Sequence, residues 1–214
     1  MEAKFFQFPN VGFTEQKLSK EVLDRLRRYI KNKKEKVNYT LAGNIKSSYE
    51  LEDKNDWFFK NILIPNVVEF EKHYKKEALV PNLLTKNCAY ELNRFWVNFQ
   101  KKYEFNPVHD HGGIYTFVIW LDIPSDYKKE KKLPFVSHSN SPFPNTFQFL
   151  YTNSFGKIAT YEYHLTPEHE GTMLFFSNKT QHTVYPFYLS NKTRVSICLL
   201  YTSPSARDRT RSRM

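Results

Sequence analysis

The sequence predicts an α+β chain that is mainly β, a jelly-roll core buttressed by N-terminal helices. Three observations lead there. Phenylalanine and tyrosine are abundant, 19 and 14 among 214 residues, while glycine is only 6; an aromatic core of this kind suits strands better than a helical bundle. The first 80 or so residues carry helical periodicity. From about residue 88 the period shortens to that of strands and stays there. With 40% hydrophobic residues the chain can bury one sizeable core but is short for two. One domain is therefore expected over 1–197, with its helical layer at about 1–80 and its jelly roll at about 88–197.

An extended piece, Phe5 to Phe8, opens the chain. Thr14 is expected to cap a helix whose apolar face is Leu18, Val22, Leu23, Leu26, Tyr29 and Ile30 and which ends in the lysine run KNKKEK at 31–36. A second helix is expected from near Asp56. Phe58, Ile62, Leu63, Val67, Phe70 and Tyr74 keep to one side of it, and Pro65 imposes a kink or a break. Both helices are amphipathic, so each needs a partner surface. The stretch LVPNLLTKN at 79–87 links the layers. Strands are then expected around 88–100, 113–123, 147–152, 157–164, 171–177, 183–188 and 192–200, separated by loop signals such as PSDYKKEKK and SNSPFPN. Seven closely spaced strands after two helices suggest the jelly roll.

The net charge of +10 invites a nucleic-acid reading, but its distribution weakens it. The terminal ARDRTRSRM alone holds four arginines against one aspartate. The whole segment CLLYTSPSARDRTRSRM, 198–214, resembles the translation of a transposon-type sequencing adapter joined to a truncated gene, so it is expected to be an artefactual tail and is set aside. Most of the remaining excess is lysine in short runs, which usually form solvated faces and less often contact phosphate. A basic nucleic-acid-binding module stays as a weakly supported alternative. No stretch approaches the roughly 20 apolar residues of a membrane span, and MEAKFFQFPN lacks the features of a secretory signal. A cytoplasmic protein without a membrane partner is expected. Cys88 and Cys198 are too few for a disulfide framework and lack zinc-ligand spacing, so they are read as buried small hydrophobes.

The chemistry concentrates in NPVHDHGGIYTFVIWLDIP, 106–124. Alternate side chains of an extended chain share a face, which puts His109 and His111 on one side with backbones roughly 7 Å apart. Two imidazoles so placed can lean onto one metal ion. Asp110 faces the other way unless the strand is bulged, and Gly112 and Gly113 let the backbone turn. Further on, His182 emerges at the start of a strand, and Arg194 and Ser196 share a face of the last one. A guanidinium beside a hydroxyl in a β core calls for an anion, most simply a carboxylate. Asn98 and Tyr115 lie on strands flanking the site and are candidates to bond a co-substrate. Trp96, Phe117 and Phe176 are candidate pocket walls, with ordinary core packing as the competing role. His73, His138, His164 and His169 have no comparable setting.

An HxH pair at a strand start, roughly seventy residues of β structure, a distal histidine and an RxS twelve residues later resemble the Fe(II)- and 2-oxoglutarate-dependent oxygenases. More closely, the chain is similar to oxygenases of marine cyanophages related to prolyl hydroxylases, over about residues 40–197. The segments AGNIKSSYEL, RFWVNFQKKYEFNPVHDHGG and QHTVYPF to RVSI carry that likeness. The resemblance implies a double-stranded β-helix, a bacterial or phage-infected host cell, His109 and His182 as iron ligands, and Arg194 with Ser196 as the clamp for the far carboxylate of 2-oxoglutarate. It implies O2 and an unidentified substrate as partners, with succinate and CO2 released. The departure is at the second ligand, where the family carries a carboxylate two residues after the first histidine and this chain has His111, beside Asp110. Strand geometry favours His111, giving three nitrogen ligands. A catalytically inactive cupin-like metal- or ligand-binding jelly roll is the rival reading.

Overall fold

The structure, a computed structural model, describes residues 11–74 and 91–202. The expected extended piece at Phe5 to Phe8, the link at 79–87 and Cys88 lie outside the described residues.

Ten strands form two antiparallel sheets. The larger contains β1 (Phe13–Lys17), β2 (Ser48–Glu50), β3 (Glu91–Gln100), β5 (Tyr115–Asp122), β8 (Thr172–Ser177) and β10 (Arg194–Thr202), in the order β1-β8-β5-β10-β3-β2. The smaller contains β4 (Asn106–His109), β6 (Thr146–Thr152), β7 (Ile158–His164) and β9 (Gln181–Val184), in the order β4-β9-β6-β7. Among the described residues the α-helices are α1 (Lys20–Lys31), α2 (Ile64–Tyr74) and a single turn, α3 (Tyr127–Glu130), with short 3-10 and π-helical segments between elements. The architecture is mainly β with a small helical layer, as the composition and period predict.

Strict alternation along the large sheet divides the core in two. Phe95, Val97, Phe117, Ile119, Phe175, Val195 and Ile197 point outward and pack with Val22 and Leu26 of α1 and with Phe58, Leu63, Val67 and Phe70 of the second helical stretch. Val118, Trp120, Leu174 and Phe176 point inward, against Phe147, Phe149 and Val184 of the small sheet. Phe58, Phe70 and Ile197 are fully enclosed; burying side chains of this size contributes about 1.5–3 kcal/mol each.

Three local expectations are corrected. Thr14 is no helix cap: it lies in β1, paired with Phe175, and Ser19 caps α1 by accepting from the Val22 amide at 3.4 Å. The five residues from Phe13 extend because β8 offers an open edge, a tertiary contact that overrides local preference. The second helix opens with a one-turn 3-10 segment, Lys54–Asp56, in which Asn55 and Asp56 have φ of 60° and 54°. A π-helical turn, Phe59–Leu63, then precedes Pro65. The break is displaced upstream of the proline because the ring has no N–H to give to the preceding turn. The strand expected at 183–188 is β9, ending at Val184, since Pro186 cannot donate to a ladder. The short edge strands β1 and β2 have no counterpart among the expected strands, and the extended piece expected through His109 and His111 is β4, also at an edge, which ends at His109. β10 runs on to Thr202, five residues past Ile197, paired with β3 as far as Thr202 and with β5 as far as Tyr201.

Candidate metal centre and cavity

His109 and His182 are cross-strand partners in the ladder of β4 with β9. Directly opposed residues share a sheet face, so their rings meet, with centroids 4.3 Å apart. β4 ends at His109, and the chain brings His111 back beside them from the following turn, at 4.9 Å from His109 and 5.0 Å from His182. One ring nitrogen from each histidine falls within 4.8 Å of the others, close enough for a single ion. Asp110 is exposed and stays out of this cluster.

Tautomer and charge are set by the surroundings. His109 Nδ1 is 2.7 Å from the Pro107 carbonyl and His182 Nδ1 is 3.0 Å from the Thr180 carbonyl. A carbonyl only accepts, so each Nδ1 carries a proton and Nε2 is the nitrogen left to face a metal. Burial, helped by the neighbouring His109, lowers His111 to about 4 and His182 to about 3. Both rings are neutral near pH 7, the state a metal ligand requires. His182 is 4% exposed, stacked on Phe147 at 5.5 Å and met edge-on by Phe176 at 5.1 Å. Trp96 meets the His111 ring at 6.2 Å.

The triad opens onto a cavity of about 240 Å³ between the sheets, walled by Trp96, Trp120, Phe147 and Phe176 and lined on its polar side by Asn98, Gln100 and Ser196. The loop around Gly43 closes one side. A Cβ there would sit 1.9 Å from Asn106 Oδ1, so any other residue would have to push that side chain aside. Asn98 is 3% exposed; it accepts from Ser48 Oγ at 2.7 Å, and its amide nitrogen meets only the Cys198 sulfur, at 3.7 Å. Ser196 pairs with Asn98 across the ladder.

Arg194 lies behind this lining rather than in it. It is 1% exposed, donates from Nη2 to the Tyr185 carbonyl at 3.2 Å and stacks over Phe187 at 4.9 Å, while Nε and Nη1 are buried without a partner. Burial pulls its pKa down to about 9, opposed by the charge of Glu130. Tyr115 is a correction: its side chain is on the helical face, where its hydroxyl donates to Glu71 Oε1 at 3.0 Å. In β5 it is Thr116, one residue on, that lines the cavity. Phe117 borders the cavity and also packs in the helical core, beside Phe58 at 5.6 Å. His73 and His138 are exposed, His164 stacks on Tyr127 at 3.8 Å, and His169 caps the turn at Thr166.

Sequence reasoning missed Asn178, the carbonyls of Pro107 and Thr180, and Cys198 as a wall residue. The carbonyls carry no side-chain signal, and Cys198 reads as a small hydrophobe at the start of the tail.

No protein-family profile matches the chain, and no curated protein does. Solved structures do. This two-sheet architecture is the fold of 2-oxoglutarate/Fe(II) oxygenase structures, and a histidine triad able to bind a metal lies within it. Among them is the viral collagen prolyl hydroxylase of Paramecium Bursaria Chlorella virus-1, with a TM-score of 0.52 and 12% identity over 90% of this chain and 96% of that one. A prolyl-4-hydroxylase of Pseudomonas putida gives 0.50 and 13% over 91% and 94%. The non-heme alpha ketoglutarate dependent epimerase SnoN from nogalamycin biosynthesis gives 0.53 and 11% over 90% and 78%. At such identities the likeness is one of fold.

Proposed function

We propose that this chain is an Fe(II)- and 2-oxoglutarate-dependent oxygenase built on a double-stranded β-helix. In this reading His109, His111 and His182 hold the iron, and Arg194 and Ser196 receive the far carboxylate of 2-oxoglutarate, with Asn98 alongside. The observation that carries it is the convergence of three imidazoles, two of them tautomerically fixed, on an aromatic cavity between the sheets. The donor set fits a divalent transition metal. Among the described residues no fourth His, Cys, Asp or Glu joins the cluster, which suits an open, reactive site better than a closed structural one.

When bound, iron and 2-oxoglutarate supply oxygen activation coupled to decarboxylation, giving succinate, CO2 and an oxidised substrate. The residues of the chain bind, orient and exclude water. The orphaned donors of Arg194 are what a carboxylate would complete. The Asn98 amide nitrogen has a weak sulfur partner, and its N–H can be given to an oxygen ligand while Oδ1 keeps the Ser48 bond. Phe147, Phe176 and Trp96 keep the metal side dry. The substrate is unassigned, with hydroxylation as the default outcome.

The test is anaerobic titration of the protein with Fe(II) and then 2-oxoglutarate, followed by visible absorption. The charge-transfer band of a chelate is expected, and it should be lost in His109→Ala. Bound iron without that band would refute the oxygenase reading and leave a metal-binding jelly roll.

A further inference from the structure

The strand that delivers His109 stops there, so nothing in the ladder of β4 with β9 holds His111. The residues that follow, Gly112 and Gly113, add no stiffness, and Gly113 has φ of 101°. Yet His111 lies as near His182 as it does to His109, within about a tenth of an ångström. What holds it comes from the turn between β8 and β9. The His111 amide donates to the Asn178 carbonyl at 3.0 Å, and Asn178 Nδ2 donates back to the His111 carbonyl at 2.9 Å. The Asn178 amide donates to the Ile114 carbonyl at 3.1 Å. Asn178 thus grips the chain on both sides of the glycine pair. Its side chain is enclosed, the residue being 1% exposed.

We propose that Asn178 is the positioning residue for His111, fixing it from the neighbouring turn where the strand gives out. The inference rests on the metal reading above but not on oxygenase chemistry. The same turn also supplies the Thr180 carbonyl that fixes the His182 tautomer, so residues 178–180 orient two of the three ligands. An asparagine suits the task because its amide donates to a carbonyl while its short stem holds two bonds in register. Alanine would remove the side-chain donor and keep the backbone pair. Aspartate, of the same shape, would set a carboxylate against the His111 carbonyl.

The test is a double-mutant cycle on Co(II) affinity in the full chain, read by calorimetry and by the visible spectrum of the bound ion. Asn178→Ala should weaken Co(II) binding about 10–100-fold, the usual effect of losing an outer partner of a ligand. In a His111→Ala background the same change should cost less than about 3-fold, because there is no longer a ring to position. A loss of equal size in both backgrounds, or no loss in either, overturns the proposal: the first marks a merely structural role and the second no role. If Asn178→Ala does not fold, Asn178→Asp enters the same cycle with the same expectations. Failure of the unsubstituted protein to bind Co(II) would instead overturn the metal reading itself, and this proposal with it.

Discussion

Replacing Arg194 with methionine separates the requirements of stability from those of binding. Burial lowers this guanidinium from 12.5 to about 9, a bias against the cation of about 5 kcal/mol at 1.36 kcal/mol per pH unit. The protein returns part of that through the bond to the Tyr185 carbonyl, about 1.5–3 kcal/mol, and the contact with Phe187, about 2 kcal/mol. Methionine fills a similar volume without the charge. The ligand-free protein should therefore be no less stable, with a gain of up to about 1.5 kcal/mol, seen as a rise in Tm of about 2–4 °C per kcal/mol. The binding effect has the opposite sign. Two orphaned donors, Nε and Nη1, await an anion, and charge-assisted bonds of about 1.5–3 kcal/mol each give a combined loss of roughly 3 kcal/mol or more, about 100-fold in affinity. The assays are thermal unfolding of the metal-free protein and calorimetric titration of the Mn(II)-loaded protein with 2-oxoglutarate. A lowered Tm with 2-oxoglutarate affinity kept within about 3-fold would refute the reasoning and make Arg194 a structural strut.

Glu130 is fully buried and accepts from the Tyr188 and Leu189 amides at 3.0 and 2.9 Å and from Ser125 Oγ. Glu130→Ala strands three donors at about 1–3 kcal/mol each and should lower stability by roughly 3–9 kcal/mol in urea unfolding; a loss under about 1 kcal/mol would contradict this. Asp110→Asn should change Co(II) affinity by less than about 3-fold, whereas His111→Ala should lower it by more than about 100-fold, since even an outer partner is worth 10–100-fold; comparable losses would return Asp110 to the ligand set. Burial raises the Cys198 thiol from 9.0 to about 12. The unfolded chain ionises this thiol above pH 9 while the folded one does not, so this contribution to stability is intact below pH 9 and is lost as pH rises toward 12, at up to about 1.4 kcal/mol per unit. Tyr163, whose buried hydroxyl is pushed well above the usual tyrosine range, adds to the loss above pH 10. Tm measured from pH 8.5 to 11 should show the decline, and Cys198→Ala should flatten its first part.

What could be read from the chain tracks the range of the forces involved. Alternation is local, so His109, Ser196 and the strand interiors were legible, and so were the apolar faces of the two helices, with Val22 on one and Phe70 on the other. Phase is not local: a strand reads the same when shifted by one residue, and that ambiguity exchanged Tyr115 for Thr116 at the cavity wall. The short edges β1 and β2 carry no pattern of their own and exist because β8 and β3 offer them partners. His111 shows the boundary most clearly. Its placement was expected from the i, i+2 rule of an extended strand, yet β4 ends before it and the backbone turns. The ring reaches the cluster because Asn178, 67 residues away, grips its peptide. The expected neighbour was therefore found, but the force that puts it there is a tertiary hydrogen bond rather than the pleat of a strand. The place of the third histidine is accordingly a property of the β8–β9 turn as much as of the HxH motif.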